Sequence, residues 1–225
     1  MRPSICVPIA KETSGEVAKT ISSLELSSID LIEVRADYLK DWSGIREIPA
    51  LVNTPTIFTY KTTERNKGEP VEEFRRKLKS AEYFTYVDID LSTKCLKNKV
   101  AELRDMNVKP IISFHNTSET PNLATLRNII KKESDAGAEI CKLVTTANKP
   151  EDNLTCLELI RELSESHKIV CFSMGSLGTP SRVMSPIFGA FFTFASTCRG
   201  DETAQGQMTV KEMRQIYQTL GVDGW

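Results

Sequence analysis

Short apolar runs of strand length alternate with longer amphipathic segments along the whole chain. The apolar runs predict eight strands: Ser4–Ile9, Leu31–Arg35, Thr56–Lys61, Phe84–Asp90, Lys109–His115, Glu139–Val144, Ile169–Met174 and Phe192–Thr197. Continuous apolar character is typical of strands that are buried on both faces. The pattern therefore favours a parallel sheet that is covered by helices.

The segments between these strands carry apolar residues at helical spacing. The predicted helices are Glu72–Ala81, Leu96–Asn107, Leu123–Ala136, Asn153–Ser166 and Thr209–Leu220, and Gly137 and Gly221 follow two of them as C-caps. Repeated strand–helix units without a linker predict an α/β fold, a single (β/α)8 TIM barrel in which residues 1–225 form one catalytic domain. The periodicity is also compatible with an open doubly wound sheet, although no G-x-G-x-x-G motif follows the first strand.

Polar side chains stand at the C-terminal ends of the predicted strands. Period-two alternation selects Glu33, Arg35, Asp37, Thr59, Lys61, Asp88, Asp90, Ser113, His115, Lys142 and Ser173, and Arg182 follows the seventh strand. In a barrel, this end of the strands forms the usual active site. Any single member is compatible with a solvated rim, but so many charges in succession need a shared wet cavity. The set therefore predicts a functional site at the mouth of the barrel.

His115 and Lys142 are the most informative of these residues because they end consecutive predicted strands. Histidine is the side chain best suited to move protons near neutral pH. A buried lysine can lose its proton and attack a carbonyl as a free amine. The pair indicates imine chemistry with proton abstraction beside the carbonyl; the alternative is a salt-bridged lysine and a core histidine. His167 lies in a polar connection and is expected to be solvated.

Charge and composition exclude several classes of function. The formal net charge is −1, whereas binding to nucleic acids or to membrane surfaces needs a basic excess. No apolar run has the length of a transmembrane span, and we expect a cytoplasmic protein with no nucleic-acid or membrane partner. The six cysteines form no C-x-x-C pair and show no zinc spacing with histidine. We therefore expect no metal site and reduced core thiols.

Six short motifs follow one another from the second predicted strand to the last helix. They are Glu33-Val-Arg35-Ala-Asp37, Ser113-Phe-His115-Asn, Lys142-Leu-Val, Phe172-Ser-Met-Gly-Ser-Leu-Gly178, Ser181-Arg182 and Gly206-Gln207. Each motif is weak alone, but their combination in this order is specific and covers essentially the whole chain. The sequence thus resembles the type I 3-dehydroquinate dehydratases, or 3-dehydroquinases.

The resemblance implies a hydro-lyase of the shikimate pathway, in aromatic amino-acid biosynthesis, that converts 3-dehydroquinate to 3-dehydroshikimate. It also implies a (β/α)8 barrel, a homodimer, and a reaction that needs no metal or organic cofactor. Lys142 matches the lysine that forms the Schiff base, and His115 matches the general acid/base. A protonated imine is a stronger electron sink than a ketone, so it would ease removal of the neighbouring proton. Burial and nearby arginine charges would lower the pKa of Lys142 and favour its neutral amine.

The resemblance further implies how the small anionic substrate is bound. Arg182 matches the carboxylate-binding arginine, whose planar guanidinium suits a bidentate contact. Gln207 and Thr203 complete that end from the loop Arg199–Gln207, which is expected to close over the substrate. The resemblance also implies that Glu33 and Arg35 contact the ring hydroxyls and that Lys61 contacts the substrate. Asp88 is implied to orient His115 or Lys142, and Asp37 to pair with its neighbours.

Three positions depart from the family pattern. Arginine is usual where this chain has Lys61, and lysine keeps the charge but loses the bidentate fork. The loop that follows lacks the usual glycine pair, so that no substrate contact is assigned to Glu64. Gln205 replaces a usual proline, which is expected to loosen the closing loop.

Two other functions fit parts of the pattern. Class I aldolases and transaldolases also use a barrel lysine, but they usually act on phosphorylated sugars, and no phosphate cradle follows the last two predicted strands. A non-catalytic ligand sensor with this fold would be expected to lack Lys142 or His115 and to carry a DNA-binding extension. A comparison of activity with dehydroquinate and activity with sugar phosphates distinguishes a dehydroquinase from an aldolase or transaldolase.

Overall fold

Eight parallel strands form the centre of the computed structural model, which describes residues 2–61 and 76–223. The strands are β1 Ile5–Ile9, β2 Leu31–Arg35, β3 Thr56–Thr59, β4 Tyr86–Asp90, β5 Lys109–His115, β6 Ile140–Thr146, β7 Ile169–Met174 and β8 Thr193–Phe194. Strands β1 to β7 pair in sequence order, and β8 pairs with β1. At the remaining seam, the Phe191 amide donates to the Ile169 carbonyl at 2.7 Å. The sheet is therefore a nearly closed barrel.

Helices lie between most of the strands. They are α1 Ser14–Ser22, α2 Leu96–Asp105, α3 Leu123–Asp135, α4 Asp152–Leu163, α5 Thr179–Met184 and α6 Val210–Thr219. Residues 76–79 are also helical, whereas the first four residues of the predicted helix Glu72–Ala81 lie outside the described residues. The connection from β2 to β3 contains only the 3-10 turns Ala36–Tyr38 and Ile48–Leu51.

Local chemistry explains where these helices begin and end. Thr13 and Glu16 form a capping box at the start of α1, and Thr209 and Glu212 form another at the start of α6. After α3, Gly137 adopts a φ of +96°, a left-handed conformation that a side chain would strain. The prediction of Gly137 as a C-cap is confirmed.

The strand predictions are confirmed in number, and the bounds of five strands differ from the prediction by one to three residues at one or both ends. β3 ends at Thr59, before the predicted end at Lys61, and β6 continues to Thr146, beyond its predicted end. β8 retains only Thr193–Phe194, because Ser196 already pairs with the residues that precede α6. The shortened strands leave more loop at the mouth of the barrel.

Apolar side chains fill the barrel and separate it from the helices. The interior is filled by Cys6, Leu31, Ile57, Tyr86, Ile111, Ile140, Val170 and Phe192. On the outside, Leu126 and Ile130 of α3, Leu159 of α4 and Leu143 of β6 belong to one apolar cluster. Burial of this apolar surface supplies the main driving force for folding. A filled interior leaves the C-terminal mouth as the place for a site.

The cysteines are all free thiols, but they are not all in the core. Cys6, Cys141, Cys156 and Cys171 are buried, as predicted. Cys95 and Cys198 are exposed, so the prediction of core thiols is wrong for these two. Burial raises the pKa of the Cys141 thiol to about 12, which makes it unreactive near neutral pH.

Candidate active site

Polar side chains form a layer directly above the apolar interior of the barrel. Because alternate residues of a strand share a face, five of the eight interior apolar residues are followed two positions later by a polar one that faces the same way. The pairs are Leu31 and Glu33, Ile57 and Thr59, Tyr86 and Asp88, Ile111 and Ser113, and Ile140 and Lys142. The strand register aligns Thr59 with Asp88 and Ser113 with Lys142, and side-chain hydrogen bonds join Thr59 to Glu33 and Ser113 to Asp88, so these polar groups form one connected layer.

A cavity of about 730 Å³ opens above this polar layer. Among the residues that line it are Glu33, Arg35, Lys61, Asp88, His115, Lys142, Arg182, Thr203 and Gln207. Of the residues to which the resemblance gives a role, only Asp37 is not part of the lining, and Glu64 lies outside the described residues. Ser113 and Ser173 of the predicted polar set do not line the cavity, and the Ser173 hydroxyl lies beside Thr145 and Cys156 instead. The structure therefore brings most of the predicted set together in one space of the size that small ligands occupy.

Lys142 lies in the middle of β6, below the mouth of the barrel. The prediction that it ends its strand is wrong, because β6 continues and pairs with Ser173 and Met174 of β7. The register places Lys142 beside Ser113, one step deeper than His115, which is the last residue of β5. The lysine thus belongs to the floor of the cavity and the histidine to the wall above it.

Two carboxylates hold Lys142 as an ammonium ion. Its Nζ lies 2.8 Å from Asp88 Oδ2, 3.5 Å from Glu33 Oε1 and 4.4 Å from the centre of the Phe194 ring. Burial lowers the pKa of Lys142, but the charges of Asp88 and Glu33 outweigh burial and raise the pKa above its ordinary value. The expectation of a lowered pKa is therefore wrong for this structure. The amine has to lose a proton before it can attack a carbonyl.

Asp88 is the centre of the polar layer. Its Oδ1 accepts hydrogen bonds from Lys61 Nζ at 2.5 Å and from Ser113 Oγ at 2.6 Å, and its Oδ2 faces Lys142. Burial raises the pKa of Asp88, but the charges of Lys142, Lys61 and His115 oppose it and hold that pKa well below its usual range. The carboxylate therefore stays ionised throughout the physiological pH range.

Glu33 and Arg35 both face the cavity from β2 but have different partners. Glu33 Oε1 accepts a hydrogen bond from Thr59 Oγ1 at 2.7 Å. Arg35 makes a bidentate contact with Asp37, with Nε–Oδ1 at 2.9 Å and Nη2–Oδ2 at 2.8 Å. Burial disfavours the guanidinium charge, but the bond to Asp37 prevails and raises the pKa of Arg35. Asp37 is thus buried against a neighbour and away from the cavity.

Ser113 and Thr59 belong to the predicted polar set but receive no role from the sequence, although both bond carboxylates of the site. The period-two alternation that places them on the inner face is the signal that identifies them. Phe172 and Phe194, whose rings lie beside the buried cations, carry no such signal. From the sequence alone, an aromatic residue on a barrel strand is interpreted as part of the apolar core, because the position of a neighbouring cation is not known.

His115 is a neutral imidazole in the cavity wall. Burial and the charges of Lys61 and Lys142 lower the pKa of His115 to about 3, and the opposing effect of Asp88 is smaller. At physiological pH the ring therefore has one nitrogen that can accept a proton.

Arg182 is a buried cation whose charge no carboxylate neutralises within the described part of the chain. It is 1% exposed, and its guanidinium carbon lies 4.3 Å from the centre of the Phe172 ring. Among the residues described, Nε and Nη2 have no hydrogen-bond acceptor. Burial lowers the pKa of Arg182 to about 10, which leaves it charged at neutral pH. Its two unsatisfied donors suit an anion that presents two oxygens.

Asn153 fixes the short helix α5 that carries Arg182. Its Oδ1 accepts from the Ser181 amide at 2.9 Å, and its Nδ2 donates to the Leu177 carbonyl at 2.8 Å. The Ser181 hydroxyl in turn accepts from the Ser173 amide at 3.0 Å. These bonds tie α5 to both α4 and β7, so the fold itself sets the position of the guanidinium.

The loop of residues 199–207 contributes Thr203, Ala204 and Gln207 to one side of the cavity. The Thr203 amide donates to Gln207 Oε1 at 2.8 Å. Gly206 has a φ of +75°, and a Cβ there would lie 2.3 Å from the Gly175 carbonyl oxygen. Only glycine allows this close approach to the end of β7. Closure of this loop over a ligand stays a prediction.

No group of three or more His, Cys, Asp and Glu side chains is placed to hold a metal ion in residues 2–61 and 76–223. Over the same residues, no helix combines the length and the apolar character that a membrane crossing requires.

Sequence comparisons relate this arrangement to known proteins. The model of the family described as Type I 3-dehydroquinase matches residues 5–223. A 3-dehydroquinate dehydratase of Dehalococcoides mccartyi is 33% identical over 223 residues, which are 97% of this chain and 96% of the relative. The 3-dehydroquinate dehydratase of Thermococcus onnurineus is 32% identical over 207 residues, which are 90% of this chain and 93% of the relative.

Solved structures show the same architecture. The 3-dehydroquinate dehydratase of Geobacillus kaustophilus has a TM-score of 0.85 at 24% identity and covers 100% of this chain and 93% of its own. The type I enzyme of Clostridium difficile, solved with covalently modified comenic acid, has a TM-score of 0.83 at 24% identity and covers 97% and 92%. At this level of identity, the likeness shows the TIM-barrel fold.

Proposed function

The chain belongs to the type I 3-dehydroquinase family, and we propose that it dehydrates 3-dehydroquinate through a Schiff base on Lys142, with His115 as general acid/base. The observation that carries the proposal is a buried lysine amine on the cavity floor beneath a neutral histidine in its wall. A nucleophile and a proton acceptor within one cavity are what imine chemistry requires.

Imine formation begins with the removal of a proton from Lys142. Asp88 and His115 both have a lowered pKa, but that of Asp88 lies further down, so the neutral imidazole of His115 is the better proton acceptor of the two. The free amine then attacks the C3 carbonyl, and the proton returns to the carbinolamine hydroxyl, which leaves as water. The iminium keeps one positive charge beside Asp88 and Glu33. The carboxylates that stabilise the ammonium ion therefore also stabilise the iminium.

Dehydration follows from the electron demand of the iminium. His115 takes the C2 proton, and the electrons of that bond form an enamine. The imidazolium then gives this proton to the C1 hydroxyl, which leaves as water while the iminium re-forms. Hydrolysis by one water releases 3-dehydroshikimate and restores Lys142. General acid–base help of this kind is worth roughly 10²–10⁴ in rate.

The buried charge of Arg182 supports a place for the substrate carboxylate. Its Nε and Nη2 donors are unsatisfied among the described residues, and a carboxylate supplies two acceptors in the matching geometry. Gln207 uses its Oε1 within the loop, so its amide NH2 group is the part that can bond the same carboxylate. We assign the ring hydroxyls to Glu33 and Arg35, which face the cavity from β2.

An activity assay tests the proposed function directly. The purified chain should convert 3-dehydroquinate to the conjugated enone 3-dehydroshikimate, with equal rates in the presence and absence of a metal chelator. It should show no turnover of phosphorylated sugars, the substrates of the barrel aldolases. Turnover of a sugar phosphate without turnover of 3-dehydroquinate would refute the proposal.

The proposals for domain organisation and oligomeric state follow from the same family membership. We propose that residues 1–225 act as one catalytic domain and that two copies form a homodimer. Size-exclusion chromatography with light scattering tests the dimer, and a monomer at assay concentrations would contradict it.

Substitutions at the carboxylate end should act mainly on KM. We expect Gln207→Ala to lose one hydrogen bond to a charged group, about 1.5–3 kcal/mol, and to raise KM by roughly ten- to a hundredfold. Arg182→Ala should raise KM further, because it removes the cation and a bidentate contact. Steady-state measurement of KM and kcat for each variant checks both.

Arg199→Ala is the matched control for these two variants. Arg199 lies at the start of the same loop, but its side chain is 65% exposed and pairs with Glu212 at 2.5 Å. Its KM should equal that of the wild type. Small and equal effects of Arg182→Ala and Gln207→Ala, with no protection of the loop from proteolysis by substrate, would mean that the carboxylate binds elsewhere.

A further inference from the structure

Two lysines share one carboxylate on the floor of the cavity. Lys61 Nζ lies 2.5 Å from Asp88 Oδ1, and Lys142 Nζ lies 2.8 Å from Asp88 Oδ2. The Asp88 side chain has no exposed surface, and the lysine side chains are 16% and 7% exposed. With so little water nearby, each charge in this group acts strongly on the others.

The signs of the surrounding charges show what Lys61 contributes. Within residues 2–61 and 76–223, the charged and titratable groups that face this cluster are Cys6 on β1, Glu33 and Arg35 on β2, Lys61 beyond β3, Asp88 on β4, His115 on β5, Lys142 on β6 and Glu133 on α3. Burial raises the pKa of Cys6 and of Glu133, which favours the neutral form of both. The charge of Arg35 is already matched by Asp37. The two lysines therefore balance Asp88 and Glu33. Without Lys61, Lys142 alone would face both carboxylates.

We propose that Lys61 is a positioning residue that neutralises Asp88, so that the Lys142 amine can leave its ion pair when the imine forms. The inference rests on the proposed function of Lys142. Its physical basis is that a second cation on the same carboxylate disfavours the charged form of the first. Lys61 thus offsets part of the stabilisation that Asp88 and Glu33 give to the ammonium ion.

The hydrogen bonds of Lys61 support this role over a contact with substrate alone. An ammonium group has three donors, and Lys61 directs bonds to Asp88 Oδ1 and to Ser113 Oγ. Ser113 also donates to the same carboxylate oxygen, which fixes the geometry of the three side chains. A residue that only binds substrate would affect KM. A residue that sets the charge of Lys142 changes the pH at which that amine becomes neutral.

The test is an NMR titration of lysine labelled with ¹³C at Cε, in which the Lys142 signal is assigned by its absence from Lys142→Met. We expect Lys61→Met to move the Lys142 inflection up by about one pH unit, and Lys61→Arg to return it close to the wild-type position. Borohydride trapping with 3-dehydroquinate at fixed pH should fall about tenfold in Lys61→Met, because tenfold less amine is neutral. Lys61→Gln keeps a hydrogen bond without the charge and should show the same shift.

Lys94→Met is the control, because Lys94 lines the same cavity from an exposed position beyond β4. It should leave the Lys142 inflection in place. An unchanged inflection in both Lys61→Met and Lys61→Gln overturns the inference, and a raised KM alone would make Lys61 a substrate contact. If the wild type traps substrate at Lys142 but the inflection does not move, only this inference fails. If the wild type traps nothing at Lys142, the proposed function fails first.

Discussion

Replacing Lys142 by methionine should abolish turnover of 3-dehydroquinate and all trapping by borohydride, while the protein still binds its substrate. The reason is that the wild-type amine supplies the covalent bond, whereas the groups that bind the carboxylate and hydroxyls remain. Methionine keeps an unbranched apolar side chain as far as Cε and lacks the reacting nitrogen, which lies 4.4 Å from the centre of the Phe194 ring. Mass mapping after borohydride reduction should place the wild-type adduct on Lys142, and calorimetry should still detect binding to the variant.

Lys168→Met is the matched control for this variant. Lys168 pairs with Glu139 at 2.5 Å and its side chain is 46% exposed, so its loss should leave both turnover and trapping unchanged. Thermal unfolding should be recorded beside the kinetics, because the variant leaves Glu33 and Asp88 with one cation fewer. An adduct on another lysine in the wild type, Lys61 above all, would show that the nucleophile is misassigned.

Much of the fold follows from patterns that are local in the sequence. Apolar runs such as Ile169–Met174 predict their strands because both faces are buried, and Gly137 marks a helix end because only glycine tolerates its φ. The prediction for the end of β8 is wrong: the apolar run Phe192–Thr197 predicts one continuous strand, whereas β8 ends at Phe194. Pairing of Ser196 with the chain before α6 ends that strand early, and such a long-range contact leaves no local signal.

The composition of the site could also be predicted, but not its electrostatics. Alternation along the strands brings Glu33, Asp88 and Lys142 to one face, and the structure places them in one cavity. The sign of the Lys142 pKa shift depends on which carboxylate oxygens lie within about 4 Å of its Nζ. Those distances are set by the register of the strands in the folded barrel, which the sequence pattern does not specify. The bonds by which Asn153 positions Arg182 depend in the same way on tertiary structure.

Replacing His115 by alanine should lower kcat by roughly 10²–10⁴-fold, the usual contribution of general acid–base catalysis. Some imine should still form and be trapped on Lys142, because water can carry its proton more slowly. His167→Ala is the matched control, since the chain has only these two histidines and His167 bonds its neighbour Ser166 outside the cavity. Single-turnover kinetics with borohydride quenching separate imine formation from dehydration. Wild-type turnover in His115→Ala would remove the histidine from the mechanism.

The pH dependence provides a second and sharper test of His115. Burial and the charges of Lys61 and Lys142 lower the pKa of His115 to about 3, so kcat/KM should show no histidine inflection between about pH 5 and 8. The unfolded chain takes up this proton near the ordinary pKa of 6.5 and the folded chain does not until about 3. The contribution of His115 to the free energy of unfolding is therefore fully present above about pH 6.5 and is lost as the pH falls from there towards 3. Thermal unfolding at about pH 4 and about pH 7 should show a smaller loss in His115→Ala than in the wild type. An inflection near neutral pH that disappears in His115→Ala would instead place the imidazole in a wetter setting, where its charge is tolerated.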